Sequence, residues 1–392
     1  MINILYISRI NLLSGRTNVY NLAKTCEALN SQEDVNVELI TTDQNNDVGV
    51  FFQKMAIHQP FKVICLGVTN TLSSNGGKKW YELFRFLYAN FRLVTFLSIR
   101  SGKFDAVYCR DDSLFPTMFW AKSILRKKIF FETHAVLEKK RRQIMNAATV
   151  RLANGVIAIS SGLKEYYSSS NKNILLSLCS AAEDSWFDHA VDKKVFRKEL
   201  NLPEDAFLVG YTGVVGANPN NDYYEVDDIV KSLVSMPKEV KCVIVGELNG
   251  NANWLRDIAK ENGVEDRVII ALWQERSKIP KYLQAFDVNL IPKRKKDLIG
   301  DSPAKMFPAL ASRRPIIAGH AESIEEVLTG GKDAIIVETN SPDGWAKAIL
   351  KIYNNPELAQ KISNQATITK GSYTWEKRGI AIAEFVRKII KI

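Results

Sequence analysis

The sequence predicts an α/β fold made of two doubly wound, Rossmann-like domains. Three observations predict it. The chain has 392 residues, more than one compact core usually holds. Short apolar strands alternate with amphipathic helical stretches, which is typical of parallel sheets covered on both faces. This alternation lapses once, near Cys179–Asp192. We therefore expect one domain at residues 1–185, a second at 186–372 and a closing helix at 373–392.

The predicted strands follow one another at helix-length intervals. In the first domain they are Ile2–Ile7, Val35–Thr41, Phe61–Leu66, Phe104–Cys109, Lys128–Glu132, Val156–Ile159 and Ile174–Leu178. In the second they are Phe207–Thr212, Lys241–Val245, Val268–Ala271, Val288–Pro292, Pro315–Ala318 and Ala334–Val337. After Val337 the chain is predicted to be helical, as Pro342–Tyr353, Pro356–Lys370 and Tyr373–Ile390.

The composition is that of an ordinary globular protein, with 46% apolar and 24% charged residues. The start of the chain lacks the pattern of a secretory leader, and no apolar stretch is long enough to span a bilayer. Five scattered cysteines indicate reduced thiols, so we expect a cytoplasmic protein. The net charge is +10, and the first 190 residues hold most of it, with 23 Lys/Arg against 16 Asp/Glu. This imbalance indicates an anionic ligand or surface on that half, or simply a solvated basic face.

In the first half, ionisable side chains follow two predicted strands at the edge where ligands bind in such sheets. Glu132 and His134 close one strand, and Asp111 follows the preceding one, next to Arg110. A carboxylate and an imidazole there can contact a ligand hydroxyl or transfer a proton. Gly15 follows the first strand and permits a close approach of ligand to backbone. Structural roles for these residues stay open at this point.

In the second half, the strongest candidate is the segment from Asp301 to Ala309. Ser302 suits the N-cap and Pro303 the first position of a helix. The free amides there, with Ala304 and the charge of Lys305, predict a site for a phosphate or diphosphate. Gly213 and Gly246 end two strands of this domain, whereas the GxGxxG and Walker A motifs are both absent from the chain.

The segment Lys78–Arg100 has the length of one helix and mixes aromatic residues with arginine. An apolar stripe at helical spacing is expected to face the core and consists of Leu83, Phe84, Leu87, Phe91 and Val94. Phe86, Leu93 and Leu97 are then expected on the outer face. Such a face suits a membrane interface or a lipid-linked ligand, although plain burial is the commoner explanation.

Taken in order, several segments resemble those of GT-B glycosyltransferases of family 4. They are Phe131–His134 (FETH), Ile157–Tyr167, Phe207–Gly216, Val264–Trp273, Ile279–Pro292, Ser302–Gly319 and Tyr373–Arg378 (YTWEKR). The resemblance implies an acceptor-binding N-terminal domain facing a donor-binding C-terminal one, with a final helix crossing back to the first. It also implies metal-independent transfer from a nucleotide sugar, with retention of anomeric configuration and no cofactor.

The resemblance also implies roles for single residues. His134 faces the transferred sugar, Gly15 lies near the donor diphosphate, and Trp273 with Gly246 edges the base pocket. The acceptor would be a glycan or a lipid-linked molecule in surface polysaccharide biosynthesis, at the inner face of the membrane. Nucleic-acid binding is disfavoured because no nucleic-acid motif accompanies the basic charge.

This sequence departs from the family pattern in the donor glutamates and in a loop of the second domain. Gly300 and Pro308 stand where the family commonly has glutamates that hold the sugar and the ribose. Val214 and Val215 also replace a common basic pair after Gly213. Pro308 is expected to kink the donor helix, since it has no amide to donate. An alternative therefore stays open, in which the chain is a non-catalytic partner of an active enzyme.

Overall fold

The computed structural model contains two compact units. The structure describes residues 1–44, 47–68, 79–134, 136, 140–178, 180–182, 187, 192–216, 225–246, 253–293, 299, 302, 304–338 and 341–391. Unit 1 comprises Met1–Cys179, Leu298–Ser302 and Trp375–Ile392, and unit 2 comprises Ser180–Asp297 and Pro303–Thr374.

Unit 1 is built on a parallel sheet whose seven described strands lie in the order β3-β2-β1-β4-β5-β6-β7. The strands are β1 (Ile2–Ser8), β2 (Val35–Thr41), β3 (Lys62–Cys65), β4 (Ala106–Cys109), β5 (Lys128–Thr133), β6 (Gly155–Ala158) and β7 (Ile174–Leu176). The helices between them are α1 (Thr17–Asn30), α2 (Val48–Lys54), α3 (Lys79–Ile99), α4 (Phe115–Ser123), α5 (Lys140–Leu152) and α6 (Ser161–Tyr167). The strand order reverses between β1 and β4, and ligands bind in such sheets outside the carboxyl ends of strands at that switch point.

Unit 2 repeats the plan with six described strands in the order β10-β9-β8-β11-β12-β13, so its switch point lies between β8 and β11. The strands are β8 (Phe207–Thr212), β9 (Val240–Val245), β10 (Val268–Ala271), β11 (Val288–Ile291), β12 (Ile316–Gly319) and β13 (Ile335–Val337). The helices are α7 (Lys193–Glu199), α8 (Val226–Ser232), α9 (Asn253–Glu261), α10 (Ile279–Ala285), α11 (Met306–Ala311), α12 (Glu322–Glu325), α13 (Pro342–Tyr353) and α14 (Pro356–Lys370). Both sheets confirm the predicted fold class.

The last helix, α15 (Trp375–Ile390), belongs to unit 1 and packs against α1. The contact is backbone to backbone, because a methyl group added at Gly379 would lie 2.3 Å from the carbonyl oxygen of Ala28. Its apolar face buries Trp375, Ile382 and Val386. One charged residue, Arg378, lies on that same buried face and is carried into the interior of unit 1.

Helix α3 corrects the prediction of its core face. Leu83, Phe84, Leu87 and Phe91 are exposed, and Leu93 and Leu97 are fully buried. The stripe predicted to be buried is therefore the outer face. The error has a physical cause: α3 carries large apolar residues around most of its circumference, so their spacing alone does not identify the buried side. Among the described residues, no helix is long and apolar enough to cross a membrane.

Helix α11 begins at Met306, three residues later than Pro303, the predicted first helical residue. Ala304 and Lys305 form a turn before it. The expected kink at Pro308 is also wrong, because Pro308 occupies the third helical position, where a backbone amide has no partner inside the helix. The Ala309 amide closes the first turn by donating to the Lys305 carbonyl, 3.4 Å away.

Candidate functional site

The candidate site of unit 1 lies at its switch point, where β1, β4 and β5 end. Neighbouring positions Ile7 and Cys109 pair across β1 and β4, and Cys109 pairs with Phe131 of β5. The residues that follow these three strand ends therefore share one edge of the sheet. They include Arg9, Arg110 and His134.

Glu132 is the centre of this group, with a carboxylate that is only 2% exposed. Its Oε2 accepts hydrogen bonds from the Tyr108 hydroxyl at 2.5 Å and from Arg378 Nη2 at 2.7 Å. Its Oε1 lies 2.6 Å from His134 Nε2. A buried carboxylate is tolerated when its lone pairs are satisfied and a cation is near, and both conditions hold here.

These contacts assign the tautomer of His134. A carboxylate only accepts hydrogen bonds, so Nε2 of His134 carries the hydrogen that is donated to Glu132. In the neutral ring Nδ1 is then an acceptor, and Arg110 Nη2 lies 3.3 Å from it. The other terminal nitrogen of Arg110 donates to the carbonyl of Asn18, 3.0 Å away at the start of α1. His134 is thus held between an anion and a cation.

The pKa shifts follow from this arrangement. Burial alone raises the pKa of Glu132, but Arg378, the hydrogen bond from His134 and Arg110 together hold it well below its ordinary value. Burial lowers the pKa of His134, and Arg110 lowers it further, against the opposing effect of Glu132. Glu132 is therefore an anion and His134 a neutral ring at neutral pH. A neutral ring beside Arg110 is a hydrogen-bond acceptor and a poor proton donor.

The other predicted residues of unit 1 lie in the loops around this edge. Asp111 caps the turn after β4, where its Oδ1 accepts from the amide of Ser113 at 3.0 Å and from the Ser113 hydroxyl at 2.6 Å. Arg9 Nη1 donates to the same hydroxyl at 2.9 Å, which ties the loops after β1 and β4 together. Gly15 has φ +66° and lies in the loop before α1, a conformation that favours glycine. Asp111 is therefore engaged in holding loops in place.

The candidate site of unit 2 lies at its own switch point, where β8 ends. Lys305 Nζ donates to the Tyr211 hydroxyl at 3.0 Å and lies 4.5 Å from the centre of the Tyr211 ring. The same hydroxyl donates to the Val214 carbonyl at 2.7 Å. A methyl group built on Gly213 would lie 3.0 Å from Lys305 Nζ, so the ammonium group sits directly against this turn.

Gly213 and Gly246 are packed against each other. Gly246 has φ +144°, and a methyl group added there would lie 2.0 Å from the Gly213 carbonyl oxygen. The amide of Gly213 donates to Val245, and the amide of Gly246 donates to Ala271. Both amides are thus engaged at the strand ends, and within the part of the chain that the structure describes the cation against this turn is Lys305.

Two more residues lie at the same edge of the unit 2 sheet. Lys293 follows β11, is fully buried, and donates through Nζ to the Ser323 hydroxyl at 3.1 Å. Its backbone lies 2.9 Å from the methyl position of Gly319, at the end of β12. Trp273 follows β10 by two residues, and its ring is 62% exposed. An exposed indole at a strand end is available to a ligand.

The predicted phosphate segment is divided by the structure. Lys305 and Ala304 lie in unit 2, whereas Ser302 belongs to unit 1. Asp301 and Pro303 lie outside the described residues, as does Gly300. The predicted helix start at Ser302 is therefore wrong, and the phosphate site assigned to this segment stays a prediction, for which the structure describes the side chain of Lys305.

Sequence reasoning missed the two residues that orient these groups, Arg378 and Tyr211. Arg378 occupies a position of the apolar stripe of α15, together with Trp375 and Ile382. An arginine at a core position of an amphipathic helix indicates a buried partner, so this pattern was a usable signal. Tyr211 has no comparable signal, since its contact with Lys305 joins positions 94 residues apart.

Residues 192–369 match the family described as Glycosyl transferases group 1. Relatives with assigned names are distant. The D-inositol 3-phosphate glycosyltransferase of Xylanimonas cellulosilytica is 22% identical over 205 residues, which covers 52% of this chain and 47% of that protein. The alpha-D-kanosaminyltransferase of Streptomyces kanamyceticus is 22% identical over 187 residues, covering 47% of each. The chain thus spans about half the length of the curated relatives that it matches.

Solved structures are similar over the whole chain. The Anabaena protein HepE in complex with UDP and glucose superimposes with a TM-score of 0.74 at 15% identity, covering 99% of this chain and 100% of HepE. Sucrose-phosphate synthase of Thermosynechococcus elongatus gives a TM-score of 0.72 at 15% identity, covering 100% of both chains. The chain has the GT-B fold.

Proposed function

We propose that the protein is a glycosyltransferase that transfers a sugar from a nucleotide-sugar donor to a glycan or lipid-linked acceptor. The match of residues 192–369 to glycosyl transferases group 1 supports the reaction class. The complex of Anabaena HepE with UDP and glucose supports a nucleotide-sugar donor. The single observation that carries the proposal is the position of Lys305, held by Tyr211 at the switch point of unit 2.

Donor binding is assigned to unit 2. A leaving diphosphate develops negative charge as the glycosidic bond breaks, and a preorganised cation stabilises that charge. The ammonium group of Lys305 is fixed at the Gly213 turn before any ligand arrives, so little reorganisation is needed. Lys293 adds a second positive charge at the end of β11. These two lysines supply the charge that a metal ion would otherwise provide, and we propose metal-independent transfer with retention of configuration.

Unit 1 contributes hydroxyl recognition through His134. Its Nδ1 is an acceptor that faces Arg110 Nη2 at 3.3 Å, and a sugar hydroxyl is a matching donor that would replace Arg110 at this atom. The neutral state of the ring argues against a general acid, and a positive ring beside Arg110 would be disfavoured, which argues against a general base. We assign to His134 the binding of a hydroxyl group. Asp111 and Glu132 act by holding the surrounding loops and the imidazole ring.

Calorimetric titration with a panel of nucleotides and nucleotide sugars tests this proposal. We expect one nucleotide diphosphate sugar to bind with micromolar to low millimolar affinity, and release of its nucleoside diphosphate to follow when an acceptor is added. A chelator such as EDTA is expected to leave turnover unchanged. No binding of any donor at millimolar concentration would reject the proposal.

The second candidate function is a non-catalytic partner subunit. It is favoured by Pro308, which stands where the resemblance expects a donor carboxylate and lies in the first turn of a short helix. The same titration separates the two functions. Donor binding without release of nucleoside diphosphate, for any acceptor tried, would favour the partner role.

We further propose that unit 1 binds the surface of an anionic membrane through α3 and α4. The side chains of Phe84, Leu87 and Phe91 are 62%, 55% and 64% exposed and line one face of α3. Trp120 of α4 joins this face, since its indole nitrogen donates to the Ser98 hydroxyl at 3.0 Å. Ser98 lies two helical turns beyond Phe91, on the same side of the helix. We call this group the α3–α4 face.

The basic residues around the α3–α4 face indicate an anionic partner. The sequence from residue 83 to 100 and from 115 to 128 contains seven Lys/Arg and no Asp/Glu. Arg92 flanks the stripe, with its guanidinium 5.9 Å from the Tyr88 ring centre. Exposed aromatic residues bordered by basic ones fit the headgroup region of anionic lipids. The proposed location is therefore the inner face of the membrane, at which a lipid-linked acceptor would be found.

A further inference from the structure

Arg378 is buried in unit 1 with its hydrogen-bonding capacity in use. Its Nη1 donates to the carbonyl of Ser177 at 2.8 Å, to the Ser177 hydroxyl at 2.9 Å, and to the carbonyl of Leu178. Its Nη2 donates to Glu132 at 2.7 Å, and its Nε lies 3.4 Å from the Thr25 hydroxyl. The guanidinium plane is thus fixed by β5, α1 and the end of β7. These hydrogen bonds hold the guanidinium group in one position. The guanidinium group in turn fixes the position of the Glu132 carboxylate.

Arg378 is also the charge that balances Glu132. Of the described groups in contact with this carboxylate, Tyr108 is a neutral phenol whose pKa burial raises well above its ordinary value. His134 is the other neighbour, and it is a titratable group. A buried carboxylate without a fixed cation either takes up a proton or draws one onto the nearest base. Because Arg378 balances its charge, Glu132 stays ionised and His134 stays neutral.

We propose that Arg378 is a positioning residue for His134. Acting through Glu132, it holds the imidazole as the neutral Nε2–H tautomer. Nδ1 is then an acceptor, which faces Arg110 in this structure and takes a ligand hydroxyl when that hydroxyl replaces Arg110. The role of the ligand rests on the proposed function, whereas the protonation state of the ring does not. The YTWEKR segment thus has a structural role, because its arginine is Arg378 of α15.

The surroundings of His134 agree with this assignment. Among the described residues, the charged groups that act on His134 are Glu132, Arg110 of the β4 end and Arg378 of α15, whereas the titratable groups Tyr6, Tyr108 and Cys26 lie around Glu132. Tyr6 is stacked on Tyr108 with ring centres 4.7 Å apart. Burial raises the pKa values of Tyr6 and Cys26, so both stay neutral. Arg110 and Arg378 are therefore the two fixed charges that disfavour a positive imidazole.

Nitrogen NMR of histidine side chains in the full chain tests the proposal, because the chain has only four histidines. In the wild type, His134 is expected to be the neutral Nε2–H tautomer at pH 7. Arg378→Met removes the fixed cation, and we expect His134 to take up a proton, with its acid dissociation constant falling at least tenfold. Arg378→Lys is expected to restore the neutral ring. Arg387→Gln is the matched control, since this arginine lies on the same helix but pairs with Asp34.

Two results would overturn the assignment. One is a wild-type His134 that is protonated or carries its hydrogen on Nδ1 at pH 7. The other is an Arg378→Met protein that folds and keeps the wild-type signals. If Arg378→Met does not fold, the double variant Arg378→Met with Glu132→Gln avoids an unbalanced buried carboxylate. We expect this variant to have a neutral ring with mixed tautomers, and a single Nε2–H form would contradict the proposal.

Adding UDP-glucose to the labelled wild type tests the ligand part separately. We expect the Nδ1 signal of His134 to shift on binding. If calorimetry detects donor binding but Nδ1 is unchanged, the acceptor role is rejected. If no nucleotide sugar binds at all, the proposed function is rejected. The tautomer of His134 is still decided by the nitrogen NMR spectrum of the ligand-free protein.

Discussion

The ammonium group of Lys305 lies 3.0 Å from the hydroxyl of Tyr211, the penultimate residue of the first strand of unit 2. In the family that the sequence resembles, positively charged residues are common in the loop after this strand, yet here Val214 and Val215 follow Gly213. Lys305 reaches the same turn from 94 positions later in the chain. The positive charge is present at this turn although the loop itself does not carry it.

Lys305→Met is expected to weaken binding of the nucleotide-sugar donor by tenfold to a hundredfold. A hydrogen bond to a charged group contributes about 1.5–3 kcal/mol, and 1.4 kcal/mol corresponds to tenfold in affinity. Calorimetric titration measures the change, with Lys260→Met as the control because Lys260 is an exposed lysine of α9. Equal affinities for the two variants would remove Lys305 from the site.

Gly246→Ala is expected to destabilise unit 2 and to weaken donor binding. The added methyl group would lie 2.0 Å from the Gly213 carbonyl oxygen, so the turn beside Lys305 has to move. Gly263→Ala is the control, with φ +65° and nothing within 4 Å of the new methyl group. It is expected to cost only the backbone strain of about 1–2 kcal/mol. Thermal unfolding and donor titration are measured on both variants. A larger loss of stability and of donor affinity in Gly246→Ala than in Gly263→Ala indicates steric displacement of the turn, and equal losses indicate backbone strain alone.

Stability is expected to fall as the solution becomes acidic. The pKa values of His134 and Glu132 are both depressed in the folded protein, so the unfolded chain binds more protons in acid. The His134 contribution is lost as the pH falls below about 6.5, and that of Glu132 below about 4.3, the ordinary values of these groups. Urea unfolding at several pH values measures the slope.

Glu132→Gln separates this acid dependence from that of other carboxylates. It leaves Arg378 buried without its counterion, so the free energy of unfolding at pH 7 is expected to fall by about 3–5 kcal/mol. The slope below pH 5 is expected to become shallower, because one depressed carboxylate is gone. A wild-type slope in this variant would show that Glu132 is not the group that titrates.

The α3–α4 face is expected to bind vesicles that contain phosphatidylglycerol and not those of phosphatidylcholine alone. Replacing Phe84 and Phe91 with serine should reduce the bound fraction at least tenfold, since burying each apolar side chain contributes about 1.5–3 kcal/mol. Ile368→Ser is the control, because this side chain is 68% exposed in unit 2. High salt should also weaken binding. Unchanged vesicle binding, or self-association through this face, would contradict the lipid assignment.

Pro308→Ala is expected to change stability by less than about 1 kcal/mol. Pro308 lies in the first turn of α11, where its missing amide costs no hydrogen bond. The proline then acts mainly by restricting the unfolded chain, an effect of about 0.4–1 kcal/mol. A stabilisation of about 3 kcal/mol on removing the proline would mean that it does kink the helix, as the sequence alone indicated.

Strands and fold class could be predicted because their determinants are local. β8, β10 and β2 have the predicted limits, since each is a short stretch rich in β-branched and other apolar residues. The helices Pro342–Tyr353 and Pro356–Lys370 also match, because each begins with a capping residue followed by proline. These patterns act within a few residues, so the sequence contains them in full.

The tertiary structure decided what depends on distant partners. Leu93 is buried and Phe91 exposed on a helix that is apolar on both sides, and only the sheet beneath α3 makes that choice. Glu132 and Arg378 are 246 residues apart, yet each makes the burial of the other's charge tolerable. The sequence by itself determined two parallel sheets and the strand ends at which ligands bind. Folding determined which side chains meet there, because charge pairing and burial depend on contacts that no local pattern specifies.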